Sequence, residues 1–270
     1  MNLLTPEKPP ECDLTLFVAC YNEEQAIVGT LDTVLAALKE VGCSFDIIIV
    51  DDASTDNSVA LVREYMAQHP DDSITLLVNE FNQGMGVNYV EAAFCGCGKY
   101  YRAICGDDVE SQETLVSVFS RLGQADMILT YHSDASARSL SRRIISRTYT
   151  TLVNLLSGCN IRYYNGLAVL LRYHVMRWHP NSPGFGFQAD LITRLLYMGA
   201  TSLEIPVVPK ERTAGKTKAF QFKNICSVAH SLLEIFIRRI GKLLDRSKYE
   251  RLSLSRQRVA QFSAKDAGGS

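Results

Sequence analysis

The sequence lacks any run of about 20 uncharged apolar residues, which is the length that a membrane-spanning helix requires. It carries almost no net charge, with 28 Lys and Arg against 29 Asp and Glu, and this argues against a general nucleic-acid-binding protein. No internal repeat interrupts it, and no low-complexity linker occurs before Lys218. A chain of 270 residues with this composition is expected to build its own core and to touch a membrane only peripherally.

The cysteines do not form a recognisable metal or disulfide pattern. Most of the eight lie inside apolar runs, and no signal peptide precedes them, which predicts reduced thiols in a cytoplasmic protein. Cys95 and Cys97 in "FCGCG" are too close for a standard zinc knuckle and have no matching second pair. We expect this pair to pack at a helix end rather than to bind a metal ion.

Short apolar runs alternate with segments of helical periodicity through most of the chain. The runs "LTLFVAC", "DIIIVD" and "ITLLV" are separated by helical patterns, and this βαβαβ order predicts an α/β fold with a mostly parallel central sheet flanked by helices. The first helix is expected from about residue 23 to residue 40, with Asn22 as its cap. The segment "TSLEIPVVP" is expected to form an edge strand because prolines interrupt it.

Acidic residues follow three of the predicted strands. They are Glu23 after the first strand, Asp51 and Asp52 after the second, and Asp107, Asp108 and Glu110 after the fourth. The carboxyl ends of parallel strands form one edge of a sheet, where ligands bind in open α/β folds. Carboxylates on short loops there can hold a hard divalent cation, which would neutralise a diphosphate. The alternative is that these residues serve only as turn and cap residues.

The last long element differs in character from the rest. Between Val207 and Ala260 the chain has thirteen Lys and Arg against four Asp and Glu. Within it, residues 221–245 place apolar residues at helical spacing with Arg238, Arg239 and Lys242 near the end. Such a helix can dock on a membrane surface or a membrane-protein partner, or it can pack on its own domain. The polar residues 246–270 are expected to be disordered.

Eight segments together carry a resemblance to a known family. "LFVACYNEEQAI", "IIIVDDASTDNS", "NQGMGVNYVEAAF" and "ICGDDVES" resemble the successive motifs of family 2 glycosyltransferases with the GT-A fold. "RRIISRTYTTLVNLL", "YYNGLAVLLR", "GFGFQADLITRLLYMGATSLEIPV" and "RTAGKTK" resemble the later motifs of the branch that contains dolichyl- and polyprenyl-phosphate sugar transferases. The resemblance covers roughly residues 14 to 220 and implies a GT-A nucleotide-sugar transferase domain over residues 1–220.

The resemblance also implies which residues bind the donor. Tyr21, Glu23 and Asp52 match positions that meet the base and ribose of a nucleoside-diphosphate sugar. Gly84 is expected to permit a tight turn near the donor. Arg143 matches a basic residue near the phosphates.

The family's metal and catalytic positions are matched less completely. Asp108 matches the second acid of the Asp-x-Asp motif and Glu110 a third metal-facing position, which implies Mn²⁺ or Mg²⁺ as cofactor. Gly106 replaces the first acid and leaves Asp107 as a substitute. The other matches are the phosphate-facing cations Arg212 and Lys218, and Asp190 as the acid of the F-x-x-E segment.

The predicted reaction is an inverting sugar transfer at the cytoplasmic face of a membrane. With a polyprenyl-phosphate acceptor no base is required, whereas a glycan or lipid hydroxyl requires one, and Asp190 is the first candidate before His132 and Asp134. A non-catalytic nucleotide-sugar-binding homologue is the alternative that Gly106 favours. Nucleotidyl transfer is disfavoured because no "GxGTR"-like phosphate loop occurs near the N terminus. The expected partners exclude nucleic acid and include a possible second copy of the chain.

Overall fold

A computed structural model describes residues 10–133, 140–177, 186–208 and 222–244. Within these ranges the strands are β1 (Cys12–Cys20), β2 (Phe45–Asp51), β3 (Ile74–Val78), β4 (Gly98–Cys105), β5 (Met127–His132), β6 (Val169–Leu171) and β7 (Ser202–Val207). The helices are α1 (Ile27–Val41), α2 (Ser58–Gln68), α3 (Met85–Cys95), α4 (Gln112–Phe119), α5 (Leu140–Ser157), α6 (Arg172–Arg177), α7 (Phe187–Tyr197) and α8 (Phe222–Leu244).

The strands form one sheet in the order β3-β2-β1-β4-β6-β5-β7. All neighbouring pairs are parallel except those of β6, which runs antiparallel to both β4 and β5. The predicted α/β class and mostly parallel sheet are therefore confirmed. Strand β7 lies at an edge, as expected, and it tolerates Pro206 because an edge strand leaves one side unpaired.

Hydrophobic cores cover both faces of the sheet, because successive side chains of a strand point to opposite faces. Leu16 and Val18 of β1 pack with helices α1, α2 and α4 on one face. Phe17 packs on the other face with Tyr89 and Tyr101, together with residues of α3, α5, α6, α7 and α8. With both faces covered, ligands can reach the sheet only at the ends of its strands, and open α/β folds bind their ligands at the carboxyl ends.

The start of α1 differs from the sequence prediction. The helix begins at Ile27, its N-cap residue is Ala26, and no side chain caps it. Asn22 instead adopts φ 57°, and its side-chain oxygen accepts a hydrogen bond from the Thr55 backbone nitrogen at 2.8 Å. The prediction of Asn22 as a cap was wrong because its amide joins the loops after β1 and β2.

Helix α8 packs on its own domain through one face, on which Ser231 and Ile235 are buried. It contacts α5 and α7. No helix among the described residues has both the length and the apolar character needed to cross a membrane. The predicted boundary at residue 220 and the tail 246–270 lie outside the described residues.

Candidate functional site

The loops that follow β1 and β2 are joined by hydrogen bonds at the carboxyl edge of the sheet. The Asn22 backbone nitrogen donates to Ser54 Oγ at 2.9 Å, and the Glu23 nitrogen donates to Ser58 Oγ at 2.9 Å. Tyr21, which precedes them, is exposed. These bonds hold Tyr21 and Glu23 beside the end of β2, where the resemblance places the base and ribose.

Asp52 is buried and organises the loop that leads into α3. Its carboxylate accepts hydrogen bonds from the backbone nitrogens of Gln83 at 2.8 Å and Gly84 at 2.9 Å, and from the Asn79 side chain at 2.9 Å. Burial alone would raise the pKa of Asp52, but hydrogen bonding by Asn88, Gln83, Asn79 and Gly84 outweighs it, so the pKa lies below its usual value. Asp52 is therefore ionised at neutral pH.

Gly84 makes the tight turn that the sequence predicts. It stands at the N-cap of α3 with φ 88° and ψ 159°, a conformation that residues with a β-carbon rarely adopt. Its nitrogen points at the Asp52 carboxylate. The structure thus brings together Asp52 and Gly84, two residues predicted to lie near the donor.

The loop after β4 explains why glycine occupies position 106. The Gly106 nitrogen donates to the Ala19 carbonyl at 2.9 Å. A β-carbon at this position would lie 2.8 Å from the same carbonyl and 3.2 Å from Ile27 Cδ1. It would also lie 3.6 Å from Glu23 Cγ, so the loops after β1 and β4 are adjacent. No side chain fits at residue 106, and Asp107 is the nearest residue that can supply a carboxylate.

Asp108 lies against the first turn of α1. Its backbone nitrogen donates to Thr30 Oγ1 at 3.0 Å. A β-carbon placed on Gly29 would lie 3.6 Å from Asp108 Oδ2, which locates the carboxylate beside this helix. Asp108 has φ 50°, in the left-handed region that Asp and Asn tolerate better than most residues. The turn therefore places the carboxylate beside the first turn of α1, the helix that follows the loop carrying Glu23.

Glu110 neutralises a buried charge that sequence analysis did not anticipate. Its Oε1 accepts from Arg102 Nη2 at 2.5 Å, and the Arg102 side chain is 0% exposed. The available signal was a single charged residue in the apolar strand "YYRAIC". Glu110 Oε2 is buried and has no hydrogen-bond partner among the described residues. One oxygen of Glu110 is thus available to a cation while the other binds Arg102.

The acidic residues at this edge do not by themselves form a complete metal site. Within the described ranges, the one group of three residues with suitably close ligand atoms is Cys12, Asp46 and Cys97. That group lies at the amino ends of the strands, which is the opposite edge of the sheet. Mg²⁺ and similar ions commonly use one or two carboxylates and take their other ligands from substrate phosphates and water. A cation at this edge would therefore take part of its coordination from a bound diphosphate, with Asp108 and Glu110 as the candidate carboxylates.

Asp190 lies in the first turn of helix α7 and is engaged by arginines. Its Oδ1 accepts a hydrogen bond from Arg238 Nη2 of helix α8. Its Oδ2 lies 3.6 Å from Arg194 Nη2. The Asp190 side chain is 5% exposed and that of Arg238 is 10% exposed, so this is a buried ion pair. The sequence carries no local signal that Arg238 is the partner, since 48 residues separate the two.

The remaining predicted residues are only partly described. Arg143 lies in α5 and is half-buried. His132 packs edge-on against Tyr163, with ring centroids 4.9 Å apart. Three predicted residues, Arg212, Lys218 and Asp134, lie outside the described residues.

Comparison with known proteins connects this geometry to a family. The family model described as glycosyl transferase family 2 matches residues 15–174, more than half of the chain. The undecaprenyl-phosphate 4-deoxy-4-formamido-L-arabinose transferase of Pectobacterium atrosepticum is 24% identical over 226 residues. This match covers 82% of the chain but 66% of the relative, so the chain spans just under two thirds of that protein's length.

Two further proteins support the same relationship. The undecaprenyl-phosphate mannosyltransferase of Micrococcus luteus is 24% identical over 212 residues, covering 74% of this chain and 85% of the relative. A mannosyltransferase from Pyrobaculum calidifontis, solved in complex with GDP-Man and Mn²⁺, superposes with a TM-score of 0.61 at 16% identity. The superposition covers 97% of this chain and 78% of the mannosyltransferase. At this identity the likeness shows the GT-A fold and nothing further. The resemblance to the polyprenyl-phosphate branch is thus confirmed, and the chain belongs to glycosyl transferase family 2.

Proposed function

We propose that this protein transfers a sugar from a nucleoside-diphosphate sugar to a polyprenyl phosphate at a membrane surface. The observation that carries the proposal is the meeting of the loops after β1, β2 and β4 at one edge of the sheet. There Glu23, Asp52 and Asp108 lie on adjacent loops. An edge with this geometry suits a ligand that combines a polar base and ribose with a diphosphate.

Asp52 is proposed to shape the donor pocket as well as to contact the donor. Its carboxylate accepts hydrogen bonds from Asn79, Gln83 and Gly84, and Asn88 also hydrogen-bonds to it, so Asp52 fixes the loop that leads into α3. Tyr21 is exposed and supplies an aromatic face for the base.

Asp108 and Glu110 are the residues proposed to hold the cation, with Asp107 as their neighbour. A bound Mn²⁺ or Mg²⁺ ion supplies Lewis-acid neutralisation of the departing diphosphate. Glu110 contributes the oxygen that Arg102 does not use. Arg212 and Lys218 are proposed to pair with the phosphate oxygens of the donor or the acceptor.

The transfer is a single displacement at the anomeric carbon. An oxygen of the acceptor phosphate forms the new bond while the bond from the anomeric carbon to the diphosphate oxygen breaks. The diphosphate leaves with the electron pair, and one displacement inverts the anomeric centre. A phosphate is already anionic at neutral pH, so no proton has to be removed. The commitment of the Asp190 carboxylate to Arg238 supports an acceptor of this kind rather than a hydroxyl.

The outer surface of α8 supports a membrane-associated acceptor. Opposite its buried face, α8 exposes an apolar set at helical spacing, which we name the outer stripe. Its members are Leu233, Phe236, Ile237, Ile240, Leu243 and Leu244. Helix α5, which contacts α8, also exposes Ile144, Ile145 and Leu155. Apolar side chains of this kind on surface helices suit insertion into a membrane interface.

The double substitution of Ile237 and Leu244 by Glu is expected to lower binding to anionic lipid vesicles by at least about 10-fold. Each fully buried Leu or Ile side chain contributes about 1.5–3 kcal/mol, and both residues are more than half exposed in the free protein. Vesicle flotation measures the bound fraction. The matched control replaces the exposed residues Ala67 and Gln68 of α2 with Glu, which adds the same charge on the other face of the sheet. Equal flotation of the two double variants would contradict membrane docking through the outer stripe.

The donor assignment is tested by calorimetric titration with UDP and GDP, each with and without manganese. We expect one nucleotide to bind tightly only when manganese is present. Manganese alone is expected to bind weakly, because the described carboxylates supply only one or two of its ligands. Binding of neither nucleotide under any condition would contradict the proposal. Nucleotide binding without sugar transfer to undecaprenyl phosphate would instead identify a non-catalytic homologue or another acceptor.

A further inference from the structure

Three side chains meet at the edge of the sheet that faces away from the acidic loops. Cys12 opens β1, Asp46 is the second residue of β2, and Cys97 immediately precedes β4. Their ligand atoms all lie within 4.8 Å of one another. Cys12 Sγ is 3.6 Å from Cys97 Sγ and 3.3 Å from Asp46 Oδ1. In the sequence Cys97 is close to Cys95, whereas the fold places it against Cys12.

These separations match the edges of a small tetrahedron around a metal ion. Zinc binds thiolate sulfur at about 2.3 Å and carboxylate oxygen at about 2.0–2.2 Å. A tetrahedral ion with these bond lengths separates two sulfurs by about 3.8 Å, and a sulfur from an oxygen by about 3.5–3.7 Å. The observed 3.6 Å and 3.3 Å therefore require side-chain shifts of only a few tenths of an ångström.

Neighbouring groups already hold the three side chains in this arrangement. Thr15 Oγ1 donates to Asp46 Oδ1 at 2.5 Å and accepts from the Gly98 nitrogen at 2.8 Å. The Cys97 nitrogen donates to Asp46 Oδ2 at 2.9 Å. A β-carbon on Gly98 would lie 2.3 Å from the Thr15 nitrogen, so the turn that carries Cys97 lies directly against β1. Outer hydrogen bonds of this kind orient the ligands of metal sites.

We propose that Cys12, Asp46 and Cys97 form a structural zinc site that is separate from the donor site. Two thiolates and one carboxylate favour zinc over Mn²⁺ or Mg²⁺, which prefer oxygen ligands alone. Binding releases the two thiol protons to the solvent. The fourth ligand is proposed to be a water molecule. Glu11 borders the site, because its backbone nitrogen donates to the Cys97 carbonyl at 3.0 Å.

A zinc ion in this position would link three strands that are distant in sequence. The site joins the start of β1 to the start of β2 and to the turn before β4, at the amino edge of the sheet. Because the ion binds the folded chain, it stabilises that chain in proportion to its affinity. The proposed donor site lies at the opposite edge, so loss of zinc is expected to lower the melting temperature while nucleotide binding persists.

Cobalt titration of the full chain, stripped of metal under reducing conditions, tests the site. We expect one equivalent of Co²⁺ to give a thiolate-to-cobalt charge-transfer band, and zinc to displace it. Cys12→Ser and Cys97→Ser should each lose the band. Cys95→Ser is the matched control, because this exposed thiol is two residues from Cys97 and should leave the band unchanged.

Thermal melting provides the second measurement and detects variants that fail to fold. Zinc should raise the melting temperature of the wild type and of Cys95→Ser but not that of Cys97→Ser, while the three proteins melt cooperatively without metal. A wild-type protein with no charge-transfer band would overturn the proposal, as would a band that survives in Cys97→Ser. The proposal would also be overturned if the reduced protein binds no cobalt and an added disulfide oxidant links Cys12 to Cys97. The two cysteines would then be a redox-active thiol pair and not metal ligands.

Discussion

Asp108→Asn is expected to abolish manganese-dependent nucleotide binding and to slow sugar transfer by at least about 100-fold, which corresponds to about 2.7 kcal/mol. The substitution removes the charge proposed to hold the cation that neutralises the departing diphosphate. Asparagine is the appropriate replacement because it tolerates the φ of 50° at this position nearly as well as aspartate. Calorimetry with the nucleotide and manganese measures the first effect, and an assay of labelled sugar in a lipid product measures the second.

The control for Asp108→Asn is Asp72→Asn. Asp72 pairs with Lys39 at 3.2 Å on the surface, away from the acidic loops, and its loss should leave both measurements unchanged. Glu110 is a poorer first target, because removing its charge also leaves the buried Arg102 unpaired and destabilises the fold. If Asp108→Asn binds nucleotide and manganese as tightly as the wild type, the assignment of Asp108 is wrong. Asp107→Asn is then the next variant to measure.

Asp190→Asn is expected to lower the free energy of unfolding by about 3–5 kcal/mol. The substitution removes the buried carboxylate that pairs with Arg238, itself only 10% exposed, and loosens the attachment of α8 to α7. Denaturant unfolding measures the loss. Asp72→Asn again serves as the comparison, because a surface pair contributes at most about 1 kcal/mol. A similar small loss for Asp190→Asn would show that the buried pair does not hold α8 in place.

A second variant, Arg238→Met, separates docking of α8 from base catalysis. If the Asp190 carboxylate only docks the helix, both variants should lose similar stability, and each should keep much of its rate on a polyprenyl phosphate per folded molecule. If Asp190 is the base for a hydroxyl acceptor, Asp190→Asn should lose nearly all of its rate while Arg238→Met keeps most of it. This difference in rate between the two variants tests the predicted catalytic role of Asp190, since a purely structural role would not produce it.

Much of the fold and of the donor edge could be predicted from local patterns. The apolar run that ends at Val50 predicts a strand buried on both faces, because only such a strand carries β-branched residues without alternation. Asp52 follows this strand and Asp108 follows another, and parallel strands bring their carboxyl ends to one edge. Gly84 was predictable because a tight turn requires a conformation that glycine adopts freely. In each case the prediction rests on residues that are close together in the sequence.

The sequence by itself therefore determined the fold class, the family and the edge at which the acidic residues lie, because periodicity and turn chemistry act over short stretches of chain. The tertiary structure alone decided which distant side chains meet. Asp190 pairs with Arg238, and Cys12 meets Cys97 across 85 residues. Such contacts depend on strand register and on how helices pack across the sheet, which involve the whole core at once. For the same reason Asn22 bonds to the loop after β2 instead of capping α1.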